Sequence, residues 1–180
     1  GYPRVSLYSE LVGEWAPRPD LPMSRLPRYR HLVSPQWLDT LLRTGSAPEY
    51  DGSRYMLCHA HYRNRGAYDE GHIPGAVEVD TNTLESPETW NRRSPAKLKS
   101  ALEQLGITHD TTVVLYGRFS FPDNDDPFPG SSAGQIAAMR CAFIMMYAGV
   151  EDVRVLNGGL QSWTDAGYAV STEEQAKQPV

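Results

Sequence analysis

The fold of this chain is decided by residues 112–163, which read TVVLYGRFSFPDNDDPFPGSSAGQIAAMRCAFIMMYAGVEDVRVLNGGLQSW. The apolar run at 113–116 is typical of a buried strand. After a polar loop rich in proline, glycine and aspartate, the spacing of apolar residues predicts a helix over 132–148. A second apolar run at 153–156 is closed by Asn157-Gly158-Gly159. The loop therefore leaves the carboxyl end of a strand, where open α/β sheets bind their ligands.

The amino end of the predicted helix carries a signal of its own. Ser132 and Gln135 are spaced as the serine and glutamine of a capping box. Free backbone N–H groups and the positive end of the helix dipole would face the loop there, which favours an anion. Arg118, Ser131, Ser132 and Gly134 are therefore the candidate anion-binding residues.

Helical and strand patterns alternate through the rest of the chain. Apolar spacing predicts helices over 34–45 and 94–106, each opened by a serine–proline pair and closed by a glycine. Apolar runs predict a buried strand at 55–61 and a short strand at 77–79. Such alternation is typical of a parallel sheet covered by helices on both faces, so the sequence predicts an α/β fold.

The composition limits the kinds of partner. With 180 residues, 40% of them hydrophobic, the chain can form one domain with a substantial core. A formal net charge of -5 provides no general attraction to nucleic acid or to an anionic membrane. No apolar run approaches the roughly 20 residues that span a bilayer. We therefore expect neither nucleic acid nor a membrane as a partner.

The two cysteines bear on the compartment. Cys58 and Cys141 do not make a disulfide framework, which favours a reducing, cytoplasmic location. A periplasmic location stays open, because the chain starts at Gly1 rather than at methionine and we expect a fragment or a processed product.

Both ends of the chain differ from the middle. Residues 1–30 are rich in proline and arginine, as linkers are, yet five of them share a spacing with five residues near the other end. Val5, Leu7, Tyr8, Val12 and Trp15 match Val153, Val155, Leu156, Leu160 and Trp163. We interpret 1–30 as a linker with the closing strand and helix of a preceding copy of the domain; chance similarity in a disordered arm is the alternative. Residues 173–180 are predicted to be a polar tail or linker, which leaves the domain at 31–172.

Several motifs, in this order, resemble those of a rhodanese domain. They are Gly71-His72-Ile73-Pro74-Gly75-Ala76, the strand at 113–116, and Val155-Leu156-Asn157-Gly158-Gly159 followed by Trp163 and Gly167. The resemblance covers roughly residues 31–170. It gives a structural role to the following residues: His72, Gly75, Gly158, Gly159 and Trp163.

The resemblance implies a fold and an activity. The fold would be a three-layer α/β sandwich, with a central parallel sheet between two layers of helices. Residues 32–38 and 111–118 are most similar to the tandem, multi-domain thiosulfate sulfurtransferases of bacteria. In that family a loop cysteine takes the outer sulfur of thiosulfate and carries it as a persulfide to an acceptor. The implied partners are other rhodanese domains of the same parent chain and a small sulfur oxyanion.

The nucleophile position departs from the family pattern. Gly117 stands where the cysteine would be, and glycine cannot carry sulfur. The loop also holds the acidic residues Asp123, Asp125 and Asp126, whose charges oppose a dianion over a screening length of about 8 Å. We predict a non-catalytic domain whose parent acts through a cysteine elsewhere. The alternative is a module that binds an anion or a partner protein through residues 117–134.

The two cysteines could in principle replace the missing nucleophile. Cys141 lies more than two turns inside the predicted helix, beyond the reach of the helix dipole, among Met139, Phe143 and Ile144. Cys58 lies among apolar residues of a predicted strand. Apolar surroundings raise the pKa of a buried thiol, so we interpret both as packed core residues.

Two histidines and an acidic run are candidate metal ligands. His59 and His61 share one strand face at a spacing that can ligate a metal. The family usually places an acidic residue at His59, so we expect a structural hydrogen bond there instead, and the resemblance implies the same for His72. Residues 123–126 lack the spaced ligands of an EF-hand. We predict no metal and no cofactor.

Overall fold

The structure, a computed structural model, describes residues 28–118 and 133–180. Its strands are β1 (Leu32–Val33), β2 (Tyr55–His61), β3 (Val77–Asp80), β4 (Thr112–Tyr116) and β5 (Asp152–Leu156). Its helices are α1 (Pro35–Thr44), α2 (Gly66–Asp69), α3 (Pro95–Leu105), α4 (Ala133–Tyr147) and α5 (Gly159–Asp165). Single turns of 3-10 helix lie at Tyr29–His31 and Thr81–Thr83.

The strands form one parallel sheet in the order β1-β5-β4-β2-β3. The central strand is β4, where Leu115 lies opposite Cys58 of β2 and Val155 of β5. Parallel neighbours need crossover connections, and helices supply most of them here. The predicted α/β class with a parallel sheet is confirmed.

Side chains of β4 alternate between two cores, as the two-residue period of a strand requires. Val113 and Leu115 face the core beneath α3 and α4. Val114 and Tyr116 face the core beneath α1 and α5. Helices thus cover both faces of the sheet, which confirms the three-layer sandwich.

Local signals set the bounds of α1. The Ser34 hydroxyl accepts a hydrogen bond from the Trp37 amide at 3.2 Å, and Pro35 is the first helical residue. Gly45 ends the helix with a left-handed φ of 70°, and its amide donates to the Leu41 carbonyl. The predicted cap and stop are both confirmed.

The carboxyl-terminal segment lies against the domain. Polar composition predicts only a tail or linker over 173–180, whereas the structure lays residues 171–180 along one side of the molecule. Its contacts are Ser171 with His72, Gln175 with Tyr68, Lys177 with Glu78, and Val180 with Glu103. In three of these four contacts the segment contributes only backbone atoms, which any side chain permits, so its residue types give no sign of them.

The repeat predicted in residues 1–30 lies almost wholly outside the described residues. Within the described ranges, no helix has the length and hydrophobicity needed to cross a bilayer.

Candidate functional site

The carboxyl end of β4 is tied to its surroundings through Gly117. The Leu160 amide donates to the Gly117 carbonyl at 2.9 Å, which anchors the start of α5. The Gly117 amide donates to Oε1 of Gln135 at 3.3 Å, and Nε2 of Gln135 donates to the Leu156 carbonyl at 3.0 Å. The buried Gln135 side chain therefore links β4, α4 and β5 at the position where the resemblance to rhodanese domains predicts the nucleophile.

Backbone fills the space where a side chain at Gly117 would lie. A Cβ atom there would overlap the carbonyl group of Gly134 and lie 2.8 Å from the amide nitrogen of Gln135. A Cβ on Gly134 would in turn overlap the Arg118 carbonyl. Gly159, with a left-handed φ of 58°, would place a Cβ against the Gly117 carbonyl. The first turn of α4 is thus packed directly on β4, and the arrangement requires glycine at both Gly117 and Gly134.

The predicted anion-binding residues are only partly described. Arg118 forms an ion pair with Glu70, and its side chain is about one-third exposed. A cleft of about 210 Å³ lies beside this pair. Its lining comprises Glu70, Gly71, Arg118, Leu160, Gln161, Thr164 and Val170. Because Glu70 already balances the guanidinium charge, an anion would have to compete with a carboxylate.

Of the other three predicted anion-binding residues, only Gly134 is among the described residues. Gly134 lies in the first turn of α4 with its backbone packed on Arg118. Ser131 and Ser132 lie outside the described residues. The proposed box partner of Ser132, Gln135, uses its side-chain oxygen and nitrogen on Gly117 and Leu156 instead.

Both cysteines are buried in the core beneath α3 and α4. Burial raises the pKa of Cys58 to about 12. Burial also raises the pKa of Cys141, and neighbouring Cys58 adds to that rise. The nucleophilic form of cysteine is the thiolate, so neither thiol is primed to attack a sulfur donor at neutral pH.

The expectation of a structural hydrogen bond from His59 is wrong for the described residues. Its ring is fully buried, with centroids 4.8 Å from the Tyr116 ring and 5.7 Å from the Tyr68 ring, and neither nitrogen has a partner there. Burial lowers the pKa of His59 to about 3, and the nearby His61 lowers it further. The imidazole is therefore neutral at physiological pH and packs as an aromatic ring.

His61 makes the contact that His59 lacks. Its Nε2 lies 2.6 Å from Oε1 of Glu78. This hydrogen bond is the main reason that the pKa of Glu78 is lowered to about 2, and Lys177 acts in the same direction. Among residues 28–118 and 133–180, histidine, cysteine and acidic side chains form no group of three that could hold a metal ion.

The residues of the family's structural motifs hold the turns around the sheet. Each ring nitrogen of buried His72 lies within hydrogen-bonding distance of a backbone carbonyl, and its ring stacks on Tyr68 at 3.8 Å. Nε1 of buried Trp163 donates to the Ala169 carbonyl at 2.9 Å. The motif glycines have left-handed φ angles: Gly75, Gly158 and Gly159.

Two residues at this site were not predicted from the sequence in their observed roles. Glu70 lies 48 positions before Arg118, and Gln135 lies 18 positions after Gly117. No local pattern links residues at such separations. The one available signal was the conformational freedom of Gly117 and Gly134, which could have indicated close backbone packing.

A five-stranded parallel sheet in the order β1-β5-β4-β2-β3, between two helical layers, agrees with the rhodanese-type fold that the motifs predict. The family model described as "Rhodanese-like domain" matches residues 59–166. The chain therefore belongs to the rhodanese-like domain family, which is related to thiosulfate sulfurtransferases.

Several curated proteins that are similar to this chain are longer than it. It is 38% identical over 170 residues to thiosulfate sulfurtransferase YnjE of Escherichia coli K12, covering 94% of this chain and 34% of that protein. It is 34% identical over 113 residues to sulfur carrier protein TtuD of Thermus thermophilus, covering 62% of this chain and 35% of that protein. The chain spans between about a third and a half of the curated relatives compared.

A solved structure gives a higher identity. It is the anaerobic ergothioneine biosynthesis enzyme of Chlorobium limicola in complex with its natural substrate, trimethyl histidine. The match has a TM-score of 0.83 and 60% identity, and it covers 93% of this chain and 39% of that one. A second solved structure at the same identity, of a variant of a protein named EanB, contains a cysteine persulfide in a tetrahedral intermediate state with ergothioneine.

Proposed function

We propose that this domain is a non-catalytic rhodanese-like domain of a longer sulfurtransferase, here called the parent chain, whose transferred sulfur is held by a cysteine in another domain. The observation that carries the proposal is the packing at Gly117. The family's nucleophile position lacks a side chain, and the backbone of Gly134 occupies the space that a Cβ would need. The site is therefore closed to a cysteine as well as lacking one.

The chemistry of the two native thiols supports the same proposal. A persulfide-forming cysteine must reach its donor and must be deprotonated. Cys58 and Cys141 are both buried, and burial raises the pKa of each thiol. Neither requirement is met by either residue.

The acceptor of the sulfur in the parent chain would be an imidazole, which the transfer converts to a thiolated imidazole. The support is comparative: identity is 60% with the ergothioneine biosynthesis enzyme and 38% with the thiosulfate sulfurtransferase of E. coli, over nearly the whole of this chain in both cases. The parent chain would accordingly take sulfur onto a cysteine and deliver it to trimethyl histidine. Other rhodanese-like domains of the parent chain are the proposed partners.

Turnover measurements test the proposed function. The isolated 180-residue chain should not transfer sulfur from thiosulfate to cyanide, whereas the parent chain should convert trimethyl histidine to ergothioneine when given a sulfur donor. Matched variants are Cys58→Ser and Cys141→Ser. Turnover by the isolated chain that disappears in either variant would show that the domain is catalytic.

Anion binding at Arg118 is a separate and weaker candidate. Because Glu70 occupies the guanidinium, thiosulfate or sulfate should leave the melting temperature of the isolated chain unchanged. Replacing Glu70 with glutamine removes the carboxylate that pairs with Arg118, so sulfate should raise the melting temperature of that variant only. The double variant with Arg118→Gln should lose the rise. A rise in the wild-type protein that requires Arg118 would instead support an anion-binding module.

A further inference from the structure

The outer side of α4 is apolar although it faces away from the sheet. Its inner side packs on the core through Ala137, Ala138, Cys141, Ala142 and Met145. Its outer side exposes four large apolar side chains, here called the α4 face: Ile136 (49%), Met139 (45%), Phe143 (72%) and Tyr147 (57%). Met139 and Phe143, which flank Cys141 in the sequence, therefore lie on the outer side, whereas Cys141 itself is buried, as predicted. A helix that is apolar on all sides is normally buried on all sides.

The surroundings of the α4 face have the composition of a protein interface. The loop between β3 and α3 lies alongside it, since Arg140 donates to the Trp90 carbonyl at 2.9 Å and Arg92 stacks over the Tyr147 ring at 4.1 Å. Trp90 itself is 43% exposed. Tryptophan, tyrosine, phenylalanine, methionine and arginine are enriched at protein interfaces, and tryptophan, tyrosine and arginine also among their energetic hot spots.

The Arg140 side chain holds this surface in shape. Its guanidinium pairs with Glu85, which is buried, and also reaches the Trp90 carbonyl. The pair fixes the loop backbone against α4, so less of this surface has to be ordered on binding.

The size of the surface favours a tethered partner. The four side chains of the α4 face expose on the order of a few hundred Å², below the roughly 800 Å² per partner of a standard stable interface. A free partner would therefore bind weakly. A domain linked in the same polypeptide experiences an effective concentration in the millimolar range for a short flexible linker, which compensates for a small interface.

We infer that the α4 face is the docking surface for a neighbouring rhodanese-like domain of the same parent chain. The relatives are two to three times longer than this chain, and residues 1–30 contain the spacing of a second copy of β5 and α5. This inference rests on the proposed function and adds the surface through which the non-catalytic domain would act. The 117–134 loop, the contact surface expected from the sequence, lies for the most part outside the described residues and leads into α4.

Thiol labelling tests the inference, because the native thiols of this domain are buried and react slowly. Met139→Cys places a reactive thiol within the α4 face and keeps Phe143. Leu32→Cys is the matched control, since Leu32 is 53% exposed on β1. Both variants are made in the 180-residue chain and in the parent chain, and maleimide labelling of each site is followed by peptide mass spectrometry.

The expected result is specific to one site. Labelling at position 139 should be at least about tenfold slower in the parent chain than in the isolated chain, because thiol reactivity follows exposure. Labelling at position 32 should not differ between the two. Equal rates at 139 would overturn the inference. Slower labelling of the isolated chain at higher protein concentration would also overturn it, because a second copy would then be the occupant.

The labelling result does not depend on catalysis. If the docking inference fails while the isolated chain still transfers no sulfur, only the surface has been misassigned. If the isolated chain transfers sulfur, the proposed function fails whatever the labelling shows.

Discussion

Replacing Gly117 with cysteine, the residue that the family's chemistry requires there, should lower the free energy of unfolding by about 3 kcal/mol or more and should yield no sulfur transfer. The new Cβ would overlap the Gly134 carbonyl and lie 2.8 Å from the Gln135 amide. Both groups are backbone at the start of α4, so they cannot move without shifting the helix and breaking the Gln135 hydrogen bonds to Gly117 and Leu156.

Urea unfolding and a thiosulfate–cyanide assay measure the two effects of Gly117→Cys. Gly66→Cys is the matched control, because a Cβ there meets only the flexible Asn64 side chain, at 3.0 Å. The control should unfold within about 1 kcal/mol of the wild-type protein, since it adds the same side chain without a backbone clash. A Gly117→Cys protein that is as stable as the control and turns over thiosulfate would contradict the closed-site account.

Acidification should destabilise the domain by about 3 kcal/mol between about pH 7 and pH 4, mainly through His59. Burial lowers the pKa of His59 from 6.5 to about 3. In the unfolded chain the ring protonates as the pH falls below 6.5, whereas in the folded protein it stays neutral until about pH 3. The unfolded state therefore binds more protons in this window. The free energy of unfolding decreases as the pH decreases from 6.5, until the pH reaches the pKa of His59 in the folded protein, about 3.

Urea midpoints at a series of pH values test this expectation. His59→Phe and His59→Leu remove the titrating group, so each should flatten the dependence between pH 6.5 and about pH 4. His109→Gln is the control because His109 is exposed, and it should retain the wild-type dependence. The lowered pKa of Glu78 contributes at more acidic pH, below 4.5. A wild-type profile that is unchanged by both His59 variants would contradict the assignment.

The fold could be predicted because its signals are local. Serine, proline and glycine mark the ends of α1, and apolar runs mark β2 and β4. The burial of alternate β4 side chains in two cores follows from the strand period alone. Parallel pairing then follows from the alternation of helices and strands.

The site could be predicted only at its centre. Gly117 in place of a nucleophile is visible in the sequence, but the packing of Gly134 against it depends on how α4 docks on the sheet. The Arg118–Glu70 pair joins residues that no periodic pattern connects. The exposure of Phe143 could not be predicted, because hydrophobicity predicts burial and the sequence alone does not say which apolar helix face is turned away from the sheet.

The central claim is that sulfur is never held on this domain, and the most direct test is the intact mass of the isolated chain after incubation with thiosulfate or a persulfide donor. The account predicts an unchanged mass, with the thiols of Cys58 and Cys141 both recovered unmodified after unfolding and alkylation. A mass increase of one sulfur atom on either cysteine, lost on addition of cyanide, would contradict it.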